Sequence, residues 1–505
     1  MAELIEEEAN PPSEVSIGPD DLLERIRQFK VHYLIVNMLD GIPYSPLHIH
    51  RWKFLFKSLI DFILGKRSYY LHILIFICSF SWSTNALTCL APAFFDGKEE
   101  NSSYVSLSDE FDLNNDRVYL RDFASSAFMI GNMFGGLFMS PLSDAIGRRP
   151  ILAICSFALS LICLLLSVSP NIYVFIVLRL VMGMSYTGAC QSSWVLAFEC
   201  CPSKLRPGTA FIFGMTWVLG YCALAPIAML SDSWRMLMLI ITVPCIVFFA
   251  AVIFFIPESL HYVVIMKRHE AVRQWSARLE EQTLIETEEV EEKKSERVPI
   301  LKFIKGHERI LTNTILVSLI WTSDAFIYFG LSLYSTKLDG NVYINFLLLG
   351  LIEIPAYIIT HLFLKKFSRK TVIFSTHFAA AVSFLAIMAL PSGSIFALIG
   401  WIFGKLGIST AYMGMYVVAG EIFPTDVRGS VLGVCTVVSG IGGIFAPYAS
   451  SLARINHNLP LIVFALVSLS GAFIGLLLPE TKDKPLHETN STQTDSTEIE
   501  VSEDN

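Results

Sequence analysis

Twelve long apolar runs are the feature that most constrains this chain. A helix that crosses a bilayer needs about 20 mostly apolar residues, and each run is roughly that long. The runs lie near 71–93, 121–141, 150–168, 171–194, 209–230, 235–256, 309–332, 341–363, 371–390, 394–418, 430–452 and 459–478. Hydrocarbon cannot satisfy backbone polar groups, so such segments cross a membrane as helices. The sequence therefore predicts an all-α membrane protein with twelve transmembrane helices.

The runs form two groups of six, which predicts two six-helix bundles. Hydrophobic residues make up 53% of the chain and charged residues only 16%, a balance that excludes an ordinary soluble domain. A charged stretch with the Glu-rich segment "EEVEEKKSE" separates the groups and is most simply solvated. The predicted divisions are an N-terminal segment with amphipathic helices (1–70), a first bundle (71–256), a central loop (257–308), a second bundle (309–478) and a polar tail (479–505).

Basic residues in the short loops predict the orientation of the spans. Arginine and lysine concentrate in alternate loops, among them 147–150 and 365–370, whereas 167–171 has none. The basic loops, the central loop and both termini are therefore expected to be cytoplasmic. The 96–118 loop then lies outside, where its sequon predicts glycosylation of Asn101. The first 20 residues are acidic and polar, so we expect no cleavable signal peptide.

A loop between the second and third runs carries charges in a specific order. Asp144 stands at the end of a helix, and Arg148 and Arg149 follow after a glycine. An acid at a helix end beside two arginines can form a charge latch that closes or opens as helices tilt. An ordinary basic loop would explain the arginines, but it would not explain the Asp or the glycine.

Several phrases together give the chain a family resemblance. The loop just described resembles the signature of the major facilitator superfamily, and the rest resembles its organic cation/anion/zwitterion transporters. The phrases, in chain order, are "EFDL" (110–113), "GGLFMSPLSDAIGRRP" (135–150), "LRLVMGM" (178–184), "FECCPSKLR" (198–206), "PESLHYVV" (257–264), "SDAFIYFGL" (323–331), "GEIFPTDVRG" (420–429) and "LPETK" (478–482). The resemblance implies a secondary transporter that works as a monomer, with the plasma membrane as its expected location. It adds Glu199, Arg206, Glu421 and Arg428 to the latch residues.

The chain departs from this family in two places. The loop between the first two spans is short and has no cysteine, whereas the family has a large cysteine-rich domain there. The second-half latch loop reads "KKFSRK", with no Asp and with Ser368 where glycine is usual. The sequence therefore leaves it open whether the second latch works.

Ionisable residues inside the spans are the first candidates for a binding site. Charged groups in a membrane are costly, and they are functional candidates for that reason. Asp324, Glu353 and Lys405 lie in the seventh, eighth and tenth spans, at positions that the resemblance also supports. Lys405 can pair with one of the acids. Either these groups only lock helices together, or one acid stays unpaired and attracts a cation or a proton.

Aromatic residues at the inner depth of several spans complete the candidate site. Rings can hold an organic cation through cation–π attraction, although each ring can instead be ordinary core packing. Trp321, Asp324 and Tyr328 share one face of the seventh span. The predicted lining is Gln191, Trp194, Trp217, Trp321, Asp324, Tyr328, Glu353, Tyr412, Met413, Tyr416 and Gly440.

Gly440 stands where the family places the residue that decides charge preference. Cation carriers typically have Asp there and anion carriers commonly have Arg, whereas glycine makes room for a substrate and sets no charge. Neutral, zwitterionic or bulky substrates are therefore favoured. Gly442 and Gly443, in the same helix, are better explained by close helix packing.

These observations favour a carrier of small organic ions or zwitterions. The sequence has no phosphate-cradling loop, no zinc or disulfide spacing and no nucleophile–base pair, so we expect no ATP-driven transport, cofactor, metal or enzymatic activity. The expected partners are a small organic solute and the lipid bilayer, without nucleic acid. The alternative is a transporter-like protein that no longer transports and acts as a sensor or interaction partner.

Overall fold

The computed structural model describes residues 69–96, 104–113, 117–201, 206–259, 262, 308–391, 393–423 and 425–482. Within these ranges, twelve helices are long and apolar enough to cross a membrane, which confirms the predicted all-α, twelve-span class. Asn101, the proposed N-terminal amphipathic helices and nearly all of the central loop and the polar tail lie outside the described residues.

The helix bounds follow the apolar runs closely. In the first bundle they are α1 Tyr69–Leu90, α2 Val118–Ile146, α3 Arg148–Ser167, α4 Ile172–Glu199, α5 Arg206–Met229 and α6 Trp234–Phe255. In the second they are α7 Glu308–Tyr334, α8 Val342–Leu351 with Glu353–Lys366, α9 Arg369–Ile387, α10 Ile395–Ile422, α11 Thr425–Phe445 and α12 Leu459–Leu477. Two short helices, Leu107–Glu110 and Ala449–Ile455, follow the ends of α1 and α11.

Local sequence explains where several helices begin. The side chains of Asn171, Ser233 and Ser394 each accept a hydrogen bond from a backbone N–H in the first turn of the next helix. Helix α8 is interrupted at Ile352, three residues before Pro355, which has no N–H to donate. The interruption places Glu353 in the first turn of the second segment, in the middle of the span.

Small residues let the helices inside each bundle approach closely. A Cβ atom on Gly131 in α2 would lie 1.9 Å from the carbonyl oxygen of Leu180 in α4. In the second bundle, a Cβ atom on Gly442 in α11 would lie 2.1 Å from the carbonyl oxygen of Thr322 in α7. Side chains at these positions would force the helices apart, as expected for small-residue packing in membranes. The contact of Gly442 agrees with the packing role expected for it.

The two ends of the molecule differ. We call the end that carries Arg148 and Arg369 the latch end, and the opposite end the far end. At the far end, Thr336, just beyond α7, donates a hydrogen bond of 2.8 Å to the carbonyl of Ala93, just beyond α1. Ser451, beyond α11, also bonds Asp122 of α2. Nearer the latch end, the Tyr416 side chain in α10 is 55% exposed. The bundles are thus joined at the far end and open a space toward the latch end.

The phrase "EFDL" fastens the far-end loop onto the first bundle. Glu110, in the short helix after α1, accepts a hydrogen bond of 2.7 Å from the indole N–H of Trp234. The same carboxylate pairs with Arg235 at 2.6 Å. Both partners begin α6, so this acid ties the loop to the start of that helix.

Candidate functional site

A buried acid–base pair joins α8 to α10 in the second bundle. The Lys405 ammonium lies 3.3 Å from the Glu353 carboxylate, and both side chains are fully buried. Lys405 also donates to the hydroxyl of Ser332 at 2.7 Å and lies 3.4 Å from the ring centre of Tyr328. Glu353 accepts hydrogen bonds from the hydroxyls of Tyr328 at 2.6 Å and Tyr357 at 3.2 Å. The predicted pairing of Lys405 with an acid is found here, with several further partners.

The Glu353–Lys405 pair extends to the first bundle through a tryptophan. The indole N–H of Trp217 in α5 donates a hydrogen bond of 2.8 Å to the hydroxyl oxygen of Tyr328 in α7. The Tyr328 hydroxyl in turn donates a hydrogen bond to the Glu353 carboxylate. A chain of hydrogen bonds therefore crosses between the two bundles at midspan. Trp217, Tyr328 and Glu353, proposed separately from the sequence, meet in this chain.

Asp324 lies in a second buried pair with a residue that the sequence analysis did not select. Its carboxylate oxygen is 3.1 Å from Nε2 of His377 in α9, and both side chains are fully buried. The two groups are close, but they are not aligned for a good hydrogen bond. Asp324 was expected to line the cavity, whereas in the structure it lies behind the wall. A substrate cation cannot reach it in this conformation.

Aromatic side chains line the space between the bundles. Tyr416 and Trp321 contact each other with ring centres 5.1 Å apart, and Tyr412 lies 5.8 Å from Tyr416. In α4, Tyr186 packs on Phe128 of α2 with ring centres 5.1 Å apart. On the first-bundle side, Trp194 stacks on Trp82 with ring centres 5.2 Å apart.

The remaining predicted lining residues differ in accessibility. Gln191 and Met413 are half-buried, whereas Trp321 is almost fully buried. Gly440 lies where α11 meets α2, and a Cβ atom there would lie 3.2 Å from the Cβ atom of Met133. The volume that glycine was expected to leave for a substrate is filled by methionine. Gly443 packs in the same way, since a Cβ atom there would lie 3.2 Å from the Met129 sulfur.

The first charge latch is present as the sequence predicts. Arg148 pairs with Glu199 of α4 at 2.9 Å and with Asp144 at 3.1 Å. The Glu258 carboxylate caps α3 by accepting from the backbone N–H groups of Arg148 and Arg149. Gly147 has a φ of +122°, and a Cβ atom there would lie 2.4 Å from Glu258. This glycine is therefore required by the capping geometry.

The second half contains the same arrangement without the glycine or the Asp. Arg369 pairs with Glu421 of α10 at 2.7 Å. Glu480 caps α9 by accepting from the backbone N–H groups of Arg369 and Lys370. Burial alone would raise the pKa of Glu480, but these backbone donors, with that of Lys482, lower it below its usual value. Ser368 stands in the place of the glycine. Its hydroxyl caps α9, and its φ of −67° is one that any residue can adopt.

The ion pair and the helix cap of the second latch are both present, and whether this latch works stays a prediction. Its arginine is Arg369 rather than Arg428. Arg428 instead donates to the carbonyl of Phe423 at 3.2 Å. Arg206 begins α5.

Two buried bases were missed, although the sequence carried a signal for both. His377 and Arg179 lie in apolar runs, where an ionisable residue is costly. Arg179 is 1% exposed and donates to the carbonyl of Thr88 at 3.0 Å, and its guanidinium lies 4.6 Å from the ring centre of Phe128. Within the described residues, no cluster of His, Cys, Asp or Glu could hold a metal ion.

Comparison with known proteins decides the family. A family model described as "Sugar (and other) transporter" matches residues 73–492. The chain belongs to this family. A Caenorhabditis elegans protein named as a transporter, with no stated substrate, is 36% identical over 431 residues, which cover 84% of this chain and 89% of the relative.

Other relatives confirm the predicted resemblance to organic ion transporters. A Drosophila melanogaster organic cation transporter protein is 29% identical, covering 81% of this chain and 76% of its own length. Organic anion transporter 3 from Oryctolagus cuniculus is 28% identical, with coverages of 78% and 75%. The inward-open structure of the xylose transporter XylE from E. coli matches with a TM-score of 0.62 and 16% identity, over 83% of this chain and 99% of that one. This last likeness shows the major facilitator fold alone.

Proposed function

We propose that this transporter carries small organic zwitterions or weakly hydrated organic ions by alternating access. Both acids in the core of the second bundle already have a base, since Glu353 pairs with Lys405 and Asp324 with His377. Gly440 adds no charge. The groups offered to a solute are therefore mainly ring faces and phenols, and the aromatic wall of Trp321, Tyr412 and Tyr416 is the observation that supports the proposal.

The contacts between the bundles suggest how access alternates. Opening the far end requires the loss of the Thr336–Ala93 and Ser451–Asp122 contacts and the separation of Trp217 from Tyr328. These are single hydrogen bonds. The two neutral ones are worth about 0.5–1.5 kcal/mol each, and the one to the Asp122 carboxylate about 1.5–3 kcal/mol. Two states of similar free energy are what a carrier needs, and such bonds are weak enough to exchange for substrate contacts.

The latches act within each bundle in this proposal. Each ties the loop between two helices to a third helix, through Arg148 with Glu199 and through Arg369 with Glu421. We place the latch end in the cytoplasm because the basic loops lie there. Both termini are then cytoplasmic, Asn101 is glycosylated outside, and the protein works as a monomer in the plasma membrane.

Uptake into proteoliposomes tests the proposed function. The purified full-length chain is reconstituted, and uptake of β-alanine, tetraethylammonium and hippurate is measured as a zwitterion, a cation and an anion. We expect saturable uptake of β-alanine above that of empty liposomes, and a higher half-saturation concentration in Trp321→Ala. Saturable uptake of hippurate alone would contradict the aromatic site. No saturable flux of any class, from protein that melts cooperatively, would favour the non-transporting alternative.

The complete second latch weakens that alternative. One of its two motives was the degraded loop "KKFSRK". Arg369, Glu421 and Glu480 restore the same set of contacts as in the first half.

A further inference from the structure

The contacts of Asp324 and His377 limit where the protons of this pair can lie. Nδ1 of His377 lies 3.0 Å from the backbone carbonyl of Ile373, which can only accept a hydrogen bond. Nδ1 therefore carries a hydrogen, and Nε2 faces the Asp324 oxygen at 3.1 Å. If Nε2 carried no proton and Asp324 were ionised, a lone pair would face a negative charge in a dry site.

One extra proton removes this conflict. It can lie on Nε2, giving an imidazolium beside a carboxylate, or on Asp324, giving a neutral acid beside a neutral ring. Either form has no net charge. A second proton would leave a buried positive charge, which is costly without a counterion. The geometry therefore favours a pair that holds a single exchangeable proton between Nε2 and the carboxylate.

The surroundings of the pair leave few other groups to balance its charge. Helix α12 packs against His377 through Gly471 and contains no ionisable residue. From α10, Tyr416 contacts Trp321, one helical turn from Asp324, and Tyr412 contacts Tyr416. Lys405, on the same helix, is engaged by Glu353 of α8.

The remaining helices that pack against the pair bring no ionisable partner to it. In α7, Tyr328 bonds Glu353. In α9, Arg369 is held by Glu421 at the latch end. In α11, Cys435 contacts the carbonyl of Thr314, also toward the latch end.

The same surroundings give the pair a connection to the cavity. Tyr416 is 55% exposed and contacts Trp321, which lies one helical turn before Asp324 on the same face of α7. A solute that displaces Tyr416 therefore disturbs the wall directly in front of the acid. This is the route by which water could reach an otherwise dry pair.

We propose that Asp324 and His377 form the binding site of a coupled proton, which is exchanged with the cavity in one state and held in the other. The proton leaves the Nε2–carboxylate contact for cavity water, and no other group changes charge. The coupling to solute rests on the proposed transport function. The proton site itself does not.

A measurement without solute tests the site first. Infrared difference spectra of the full-length protein are recorded after pH steps between 5 and 9. We expect a carboxyl or imidazole transition in the wild type that disappears from this range in both Asp324→Asn and His377→Asn. A transition that survives unchanged in both variants would overturn the proposal, as would a wild type without one.

A pair of glycine variants distinguishes the site from general damage to α12. A Cβ atom on Gly471 would lie 2.7 Å from Nε2 of His377, whereas one on Gly475 would lie 2.7 Å from Cγ2 of Ile373. The two positions are one turn apart and carry the same type of clash. We expect Gly471→Ala to shift the transition by at least one pH unit, a tenfold change in proton affinity, and Gly475→Ala to leave it in place. Equal shifts would contradict the assignment.

Gradient-driven uptake then tests coupling. Proteoliposomes with the voltage held at zero are given a difference of one pH unit, and β-alanine accumulation is measured in both gradient directions. A coupled carrier exchanging one proton per solute accumulates about tenfold in one direction. We expect His377→Asn to abolish accumulation in protein that still melts cooperatively. Unchanged accumulation in this variant would overturn the coupling. Loss of all flux in the wild type would refute the transport function, while the infrared result would still decide the proton site.

Discussion

The second bundle contains two buried acid–base pairs, and they are built differently. Glu353 and Lys405 are surrounded by donors and acceptors, including the hydroxyls of Tyr328 and Ser332. Asp324 and His377 have each other and one backbone carbonyl. Both pairs are fully buried, so burial alone does not separate them. They differ in how many neighbours stabilise the charged form.

This difference separates a structural role from a switching role. A buried pair with all its hydrogen bonds satisfied is held in one arrangement, because any change leaves several groups unpaired. A pair with few partners loses little when its proton moves. The Glu353–Lys405 pair is therefore expected to fix α8, α10 and, through Trp217, the other bundle. The Asp324–His377 pair is expected to change protonation.

The largest loss of stability is expected from breaking the Glu353–Lys405 pair, which we call the satisfied pair because its hydrogen bonds are all made. Lys405→Met keeps the length of the side chain but removes the charge that balances Glu353. Removing one partner of a buried ion pair costs about 3–5 kcal/mol. The thermal midpoint of the purified protein in detergent, read by tryptophan fluorescence, should fall strongly.

His377→Asn is the matched control for that variant. The control also removes the base of a buried pair, but Asp324 can then take up a proton and become neutral. We expect a clearly smaller fall in the midpoint. Equal losses in the two variants would mean that the difference in partners has no energetic consequence.

A smaller loss is expected at the latch, where charges are half-buried rather than fully enclosed. Arg369→Gln removes the ion pair with Glu421. It should lower the stability of the latched arrangement by about 1.5–3 kcal/mol, the range for hydrogen bonds to charged groups. Arg148→Gln, the equivalent change in the first half, provides the reference. Similar decreases in uptake rate for the two variants would confirm a working second latch. Normal uptake in Arg369→Gln would show that only the first one matters.

The sequence predicted most of the fold because the membrane leaves few choices. Each apolar run that was identified corresponds to a helix, since no other structure satisfies the backbone in hydrocarbon. Caps such as Ser394 and the break before Pro355 adjust the bounds by only a few residues. An ion pair between Lys405 and one of the two acids was also predictable, because an unpaired charge in these spans would be costly, but the choice of Glu353 was not.

The sequence could not reveal pairings that depend on how helices pack side by side. His377 lies more than fifty positions from Asp324 in the chain, and only the contact of α9 with α7 brings them together. The second latch was left open because capping by Ser368 replaces the geometry that glycine provides in the first. Gly440 was read as open space because its neighbour Met133 belongs to the other bundle.

Gly440→Asp creates an acid that, unlike the two natural ones, has no base placed beside it. A Cβ atom at this position would lie 3.2 Å from the Cβ atom of Met133, so α2 and α11 must separate by a few tenths of an ångström. If the new carboxylate reaches the cavity, it should strengthen tetraethylammonium binding about tenfold, or about 1.4 kcal/mol. Competition against β-alanine uptake measures this change. Gly440→Asn provides the uncharged control, and equal affinities for the two variants would place the residue outside the cavity.

The smallest change in free energy is expected from breaking the hydrogen bond of Trp217 to Tyr328, which links the satisfied pair to the first bundle. Trp217→Phe removes the hydrogen bond to Tyr328 and should shift the balance between carrier states by about 0.5–1.5 kcal/mol. Trp321→Phe is the matched control, because the indole N–H of Trp321 is buried without a hydrogen-bond partner among the described residues. A double electron–electron resonance distance between labels on the two bundles at the far end reports the balance. A shift toward the open far end in Trp217→Phe, larger than in the control, would show that the satisfied pair also holds the bundles together. Equal shifts would confine its role to the second bundle.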